Sequence, residues 1–538
     1  MELGTIPWTS LSLFDSLLLF SGAVLFSTVA IALWCVVSYL LNTPLRRYPG
    51  PRLAALTNLW RFRCMRGGNY HKVTGELHKK YGPVVRVGPN VLDIDYPELL
   101  KTVFGISGEW RKTESVLASS SLVGGRVAYN LFSQMEPEIH ARWKRPVAKF
   151  YSANGLTEFE GHIDKIIALL CEKLDERFPS GTGREKGGWS KGFDLGDWIR
   201  FYTWDSIGTL TFSQPLGYLA SGADFDGTLS AAEKATDYFV TCYSFPILDR
   251  LMSKNPIPLF RKLGPPGFDP SAAVAAQRWA ARAKGADKDV HSADLPDYLD
   301  KFLEAQRAHP DVIDDVVLFG YLMNNMIAGA DTTAAALKSA IYHGLKDGKR
   351  VWTKLRGELA RAGLSLGEGG VNVSYKAARA VPYLEAVIRE SMRFHSPIGM
   401  GLERYVPEGG VTLPGEAGGY VPKGAVLAFN PAVLARNVDV YGQDADRFRP
   451  ERWLRADGES QNEYEQRMLA MNNADFTFGG GSRICIGKHM ALMQLYKLLA
   501  SLVLVYDMEL VDPEKEWRVI GSMFIRQEGL DVRIKRRL

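Results

Sequence analysis

The stretch Phe478-Gly479-Gly480-Gly481-Ser482-Arg483-Ile484-Cys485-Ile486-Gly487 sets one arginine and one cysteine among four glycines. A long apolar run, roughly Met490 to Val505, follows and reads as a buried helix. The glycines let the backbone turn tightly and approach a flat object closely. Arg483 supplies a fixed positive charge two residues before the sulfur. Cys485 sits just before the predicted helix N-terminus, where aligned peptide dipoles stabilise an anion and lower a thiol pKa. The chemistry this suggests is a single thiolate ligand to a metal that brings its own other ligands. Three plainer readings compete. The commonest is an inert buried thiol. A structural zinc site lacks a second nearby cysteine and its four protein ligands. A phosphate-cradling loop fails because Ser482 stands six before Lys488 and His489 follows it.

The stretch resembles the heme-binding loop of the cytochrome P450 family, the heme-thiolate monooxygenases, whose pattern is Phe-Gly-x-Gly-x-Arg-x-Cys-x-Gly. Every fixed position matches. The resemblance puts Cys485 in the axial-ligand slot of the iron of heme b and implies that Phe478, Gly479, Arg483 and Gly487 bind the cofactor. It also implies a mainly α fold with a smaller β-rich lobe, preceded by a single N-terminal transmembrane helix.

Composition bounds the reading without deciding it. The 538 residues are 46% apolar and 11% aromatic, enough for a large core; length alone suggests about three domains, whereas the resemblance implies one catalytic body over 46–538 behind an anchor at 1–45. The net charge of +5 is mild and gives no argument for nucleic acid. Five cysteines, odd in number and scattered, make no disulfide framework and fit a reducing compartment. Leu17–Leu41 has 25 residues and no charge. As a helix it is roughly 37 Å long, enough for a ~30 Å hydrocarbon core. No Lys or Arg precedes it, which argues for an anchor over a cleaved signal peptide. Arg46 and Arg47 on its far side leave the body in the cytosol, and the expected location is the endoplasmic reticulum membrane, single-pass. Tyr48-Pro-Gly-Pro51 reads as a hinge, and the segments before and after Gly88-Pro-Asn90 as a small hairpin.

His140-Ala-Arg-Trp-Lys-Arg145 opens a basic helix, by itself most simply a solvated face. The resemblance implies that His140 and a cation four residues on meet the heme propionates; Lys144 holds that slot and Arg145 adjoins it. Pro310-Asp311 starts a helical pattern reaching about Leu345. Inside it, Ala328-Gly-Ala-Asp331-Thr332-Thr333 places small residues, an acid and an alcohol in an apolar stretch. A Thr hydroxyl there can bond the carbonyl of the preceding turn. The stretch looks like the family's oxygen-activation motif, with Asp331 and Thr332 organising protons. Glu390 and Arg393 share a helical face, and Arg452 follows in Pro450-Glu-Arg452; together they resemble the family's buried charged network. Arg404 holds the slot of a further propionate partner. The resemblance implies a lipophilic small-molecule substrate, electrons from NADPH through a membrane-bound cytochrome P450 reductase, and cytochrome b5 as a further donor. Its texture resembles filamentous-fungal enzymes of secondary metabolism, which make terpenoids, polyketides or alkaloids. The rivals are a heme-thiolate rearrangement enzyme that needs no reductase and a non-catalytic heme-binding membrane protein.

Overall fold

The computed structural model describes residues 43–537 except 107–108, 124, 181–187, 263, 265–266, 365, 367–369 and 417, together with scattered positions between 19 and 37. From the N-terminal side, the elements that frame the site are strands β1 (Val84–Gly88) and β2 (Val91–Ile94), then helices α1 (Pro137–Ala148), α2 (Leu195–Phe212), α3 (Thr228–Ser244), α4 (Asp315–Ala328), α5 (Asp331–Leu345) and α6 (Pro382–Phe394). Strands β3 (Leu402–Tyr405) and β4 (Val426–Phe429) and helix α7 (Lys488–Val505) complete the set.

The apolar run after the cysteine is α7. Apart from Lys488 and Lys497 it carries no charge, and an all-apolar helix belongs inside. It lies in the largest apolar cluster, with residues of α2, α4, α5 and α6. Among the described residues α7 is the one helix long and apolar enough to span a membrane; 72% of it is buried, as in a core helix. The anchor expected over Leu17–Leu41 falls largely outside the described residues. Lys497 is buried in the core, and its ammonium meets Glu160 at 2.6 Å, Asp164 at 2.8 Å and the Val373 carbonyl at 2.8 Å.

The smaller lobe follows from β-branched pattern. The predicted hairpin forms as β1 and β2, antiparallel from Val84 opposite Ile94, with an irregularity at Gly88 where the turn begins. β4 joins β2 in parallel and β3 joins β4 antiparallel, giving the order β1-β2-β4-β3. This sheet delivers Arg404, on β3, to the lobe boundary.

Two helix expectations need correction. The pattern taken to start at Pro310 begins instead at Asp315, because the Asp314 carboxylate accepts the Val317 N–H and caps the helix there. It also does not run unbroken to Leu345. Gly329 and Ala330 separate α4 from α5, and the Thr332 and Thr333 hydroxyls take the carbonyls of Ala328 (2.8 Å) and Gly329 (3.1 Å). The hydroxyls thus satisfy acceptors that the interrupted ladder leaves free. Likewise the basic helix read as opening at His140 starts at Pro137, and Pro146 stands in its last turn.

Lys497→Met leaves Glu160 and Asp164 close together without their shared cation. A loss of about 3 kcal/mol in unfolding free energy is expected, read as a lowered chemical-denaturation midpoint at unchanged slope.

Candidate active site

The loop from Phe478 to Gly487 is fixed by its own backbone and by two cations. Gly479 and Gly481 hold φ of 71° and 55°, the left-handed region glycine tolerates. A Cβ on Gly481 would lie 1.4 Å from the Phe104 carbonyl oxygen, so the loop packs there only as glycine. The Cys485 N–H donates to the Phe478 carbonyl at 2.8 Å. The Lys144 ammonium donates to the carbonyls of Ser482 (3.1 Å) and Ile484 (3.2 Å), whereas Arg145 is exposed. Arg483 donates to the carbonyls of Gln134 (2.7 Å) and Met135 (3.0 Å). Gly487 has an ordinary φ of −80°; a Cβ there would stand 4.0 Å from the Cys485 sulfur, so its smallness keeps the flank of the sulfur clear.

Cys485 is exposed on this loop, but dense protein around it raises the thiol pKa above its usual 9. The Gly487 and Lys488 backbone and the charges of Lys144 and Lys488 oppose that shift and do not overcome it. The helix start alone therefore does not make the thiolate, contrary to the sequence expectation; coordination to a metal deprotonates a thiol outright.

Beside the loop lies a cluster of basic side chains. Lys112, His140, Arg404 and Arg483 converge there, the first three at most 8% exposed. Among the described residues none of the four hydrogen-bonds a carboxylate. Lys112 donates to the Phe132 carbonyl at 2.6 Å and Arg404 to the Glu403 carbonyl at 2.8 Å, while the Glu403 carboxylate is taken by Arg61 and Thr113. Burial depresses the whole set, with repulsion from neighbouring cations adding to it for Lys112, His140 and Arg404 and the Glu136 charge opposing it for Arg483: Lys112 falls well below the usual lysine range, His140 to about 3, Arg404 to about 9 and Arg483 to about 10. A buried dianion would relieve that repulsion. Lys112 escaped the sequence reading because a lysine between Arg111 and Thr113 looks like any solvated charge; only the fold buries it.

Glu390, Arg393 and Arg452 come together, all at most 3% exposed. Arg393 forks onto Glu390 with two 2.8 Å bonds, and the Arg452 Nε lies 3.4 Å from the same carboxylate. The Arg449 N–H and Trp453 indole complete its acceptors at 2.8 and 3.0 Å. Every member has a partner, so removing one strands the others, at a cost of about 3–5 kcal/mol.

Asp331 and Thr332 are adjacent in sequence but divided in space. Asp331 accepts from Arg200 (3.3 Å) and the Trp204 indole (3.1 Å) on α2, and Arg200 also binds Glu233. Thr332 instead follows Ala328, which is exposed although its neighbours Met326 and Ile327 are buried. The acid is thus anchored on one side of the helix and the alcohol stands on the other.

The profile of the family described as cytochrome P450 matches residues 48–530. The chain belongs to the cytochrome P450 family. It is 44% identical to the cytochrome P450 monooxygenase cfoH of Aspergillus candidus over 95% of this chain and 91% of that protein. A cytochrome P450 monooxygenase of Aspergillus terreus is 34% identical (89% and 94% covered), and cicH of Emericella nidulans 32% (94% and 97%). The protein is a heme-dependent cytochrome P450 monooxygenase, an oxidoreductase. Its residues fit heme: two propionates would be the dianion that Lys112, Arg404 and Arg483 lack, with the His140 imidazole beside them, and Cys485 is an exposed thiol whose flank Gly487 keeps clear. Met400, Met523, Phe524, Phe239 and Tyr243, with Phe132 and Ile398 against them, pack into a separate apolar cluster.

Lys112→Met should weaken retention of heme. Transfer of heme from the purified holoprotein to apomyoglobin is expected to speed up roughly tenfold, the worth of one charge-assisted bond.

Proposed function

We propose that this P450 inserts one oxygen atom from dioxygen into an apolar small molecule during biosynthesis of a fungal secondary metabolite, a terpenoid, polyketide or alkaloid. The observation that carries the monooxygenase reading is the open face at Ala328 and Thr332. The heme, when bound, supplies dioxygen activation and C–H oxidation. Cys485 would supply the thiolate to its iron. Lys112, His140, Arg404 and Arg483 would hold its propionates, and Lys144 braces the loop from the cysteine side. Phe478, Gly479 and Gly487 shape that loop. Glu390, Arg393 and Arg452 hold the scaffold behind it.

The Thr332 hydroxyl donates a hydrogen bond to the Ala328 carbonyl, so its oxygen presents lone pairs to the open face and can accept from a water there. Asp331 is the nearest carboxylate in sequence, and its exchange between Arg200 and the Thr332 side would resupply protons from the Glu233 surface. An enzyme that only rearranges a bound peroxide has no use for this acid–alcohol pair.

Electrons come from NADPH through a membrane-bound reductase, with cytochrome b5 as a further donor. The docking side is that of α1, where Arg145 is exposed and Arg142 and Lys149 form weak surface pairs with Asp311 and Glu304. An N-terminal helix over Leu17–Leu41 anchors the protein in the endoplasmic reticulum membrane with the body in the cytosol. Exposed Leu53, Leu59, Ile247, Leu251, Leu259 and Phe260 support a membrane-facing side of the body.

Thr332→Ala should uncouple the enzyme in reductase-containing membranes: NADPH consumption continues while the product formed per NADPH falls about tenfold or more, the low end of a lost proton-transfer contribution. Coupling equal to wild type would refute the role of Thr332, and product formed without NADPH and reductase would favour the rearrangement reading.

A further inference from the structure

Beside the C-terminal part of α5 lies an antiparallel sheet of three strands, in the order Tyr506–Leu510, Asp531–Arg536, Phe193–Asp194. Between this sheet, the segment that leaves its first strand and α5 lies a cavity of about 410 Å³. That volume falls within the range of small-molecule sites, about 300–1,000 Å³. Phe193, Tyr342, Leu510 and Val511 give it apolar walls, and Asp512, Lys515 and Asp531 carry charge to its mouth. Tyr342 stands ten residues beyond Thr332, roughly 15 Å further along the helix. None of the lining residues belongs to the cysteine loop, the basic cluster beside it or the Asp331–Thr332 pair.

The cavity wall is pinned at several points. The Val511 N–H donates to the Asp531 carbonyl at 3.0 Å. Lys346 of the helix end donates to the carbonyls of Pro513 and Lys515, and the Tyr342 hydroxyl donates to Glu516 at 2.8 Å. Trp517 stacks on Tyr342 with centroids 4.0 Å apart and planes within 5°. Opposite, Gly192 comes so near that a Cβ on it would lie 2.8 Å from a Val511 methyl. A site already held in shape costs a ligand little ordering. Its charge is uneven. The Lys515 ammonium is taken by Asp531 at 2.8 Å. The Asp512 carboxylate accepts the backbone N–H groups of Glu514 (3.0 Å) and Lys515 (3.3 Å), and among the described residues no cation pairs with it.

We propose that this cavity is a second ligand site, for a small amphiphilic cation. The apolar body of the ligand lies against Phe193, Tyr342, Leu510 and Val511, and its ammonium sits at the mouth beside Asp512. An anion of the same size is disfavoured, because the one ammonium at the mouth is already paired and two carboxylates remain to repel it. The inference stands independently of the heme-monooxygenase reading, since no residue of the heme site takes part in it.

The test uses the purified holoprotein with an azole present to occupy heme iron. The probe is a photoreactive aryl diazirine that carries a quaternary ammonium, a group unable to ligate iron. After irradiation the adducts are mapped by mass spectrometry over a range of probe concentrations. Saturable adducts are expected in segments 192–193, 510–515 and 529–531. Asp512→Asn keeps an acceptor for the two backbone N–H groups and removes the charge. It should raise the half-saturating concentration about threefold, the worth of one exposed charge pair. The same diazirine bearing a carboxylate in place of the ammonium should give no saturable adduct in these segments. Saturable labelling by the cation only elsewhere, an unchanged half-saturation in Asp512→Asn, or equal or tighter labelling by the carboxylate would each overturn the inference.

Discussion

Buried positive charge without an internal counter-charge is the constraint on which the site depends. Lys112, His140, Arg404 and Arg483 are brought together by four separate parts of the chain, and their hydrogen bonds go to carbonyls rather than carboxylates. Nearby acid is engaged elsewhere: Glu403 by Arg61 and Thr113, and Glu136, whose charge acts on Arg483, by Arg111. A fold does not normally bury such a set, since each cation loses hydration and repels its neighbours, and His140 is held neutral among them. The arrangement makes sense as half of an ion pair whose other half arrives with the cofactor. Cofactor binding and stability of the surrounding segments are then one equilibrium.

The remaining architecture keeps that half-site open and in register. Glycine contact with the Phe104 carbonyl seats the cysteine loop on the β-rich lobe, and Lys144 holds its outer carbonyls from α1. The Glu390 network ties α6 to the Pro450–Trp453 turn, so the scaffold behind the loop is set by fully paired charges rather than by apolar contact alone. Facing them, α4 and α5 break at Gly329 and Ala330 and turn one side chain, Thr332, toward the open face and its neighbour, Asp331, away from it. Rigidity on the cysteine side and a broken helix on the other suit a site that holds one large cofactor and leaves room beside it.

The sequence made parts of this legible and concealed others for physical reasons. The cysteine loop, the Glu390-Arg393-Arg452 set, the hairpin and the buried helix after the cysteine each have a local pattern, and each forms within a few residues of its expected limits. The helix over 310–345 looked continuous because the periodicity carries through Gly329, while the break is decided by threonine hydroxyls taking backbone carbonyls. Lys112 and the Arg200 partner of Asp331 are invisible locally: their partners lie 20 and 131 residues away, and nothing in their neighbours marks them. The thiol pKa was misjudged because the helix start is local and the burial that outweighs it is not.

The central claim is that the Cys485 thiolate ligates heme iron within this cationic cradle. Its most direct measurement is the reduced carbon-monoxide difference spectrum of the wild type beside Cys485→Ala, each with heme content measured separately. The wild type should show the strongly red-shifted Soret band that a thiolate ligand gives, and Cys485→Ala should lack it even where heme remains bound. The same red-shifted band in Cys485→Ala, or its absence from heme-loaded wild type, would contradict the account.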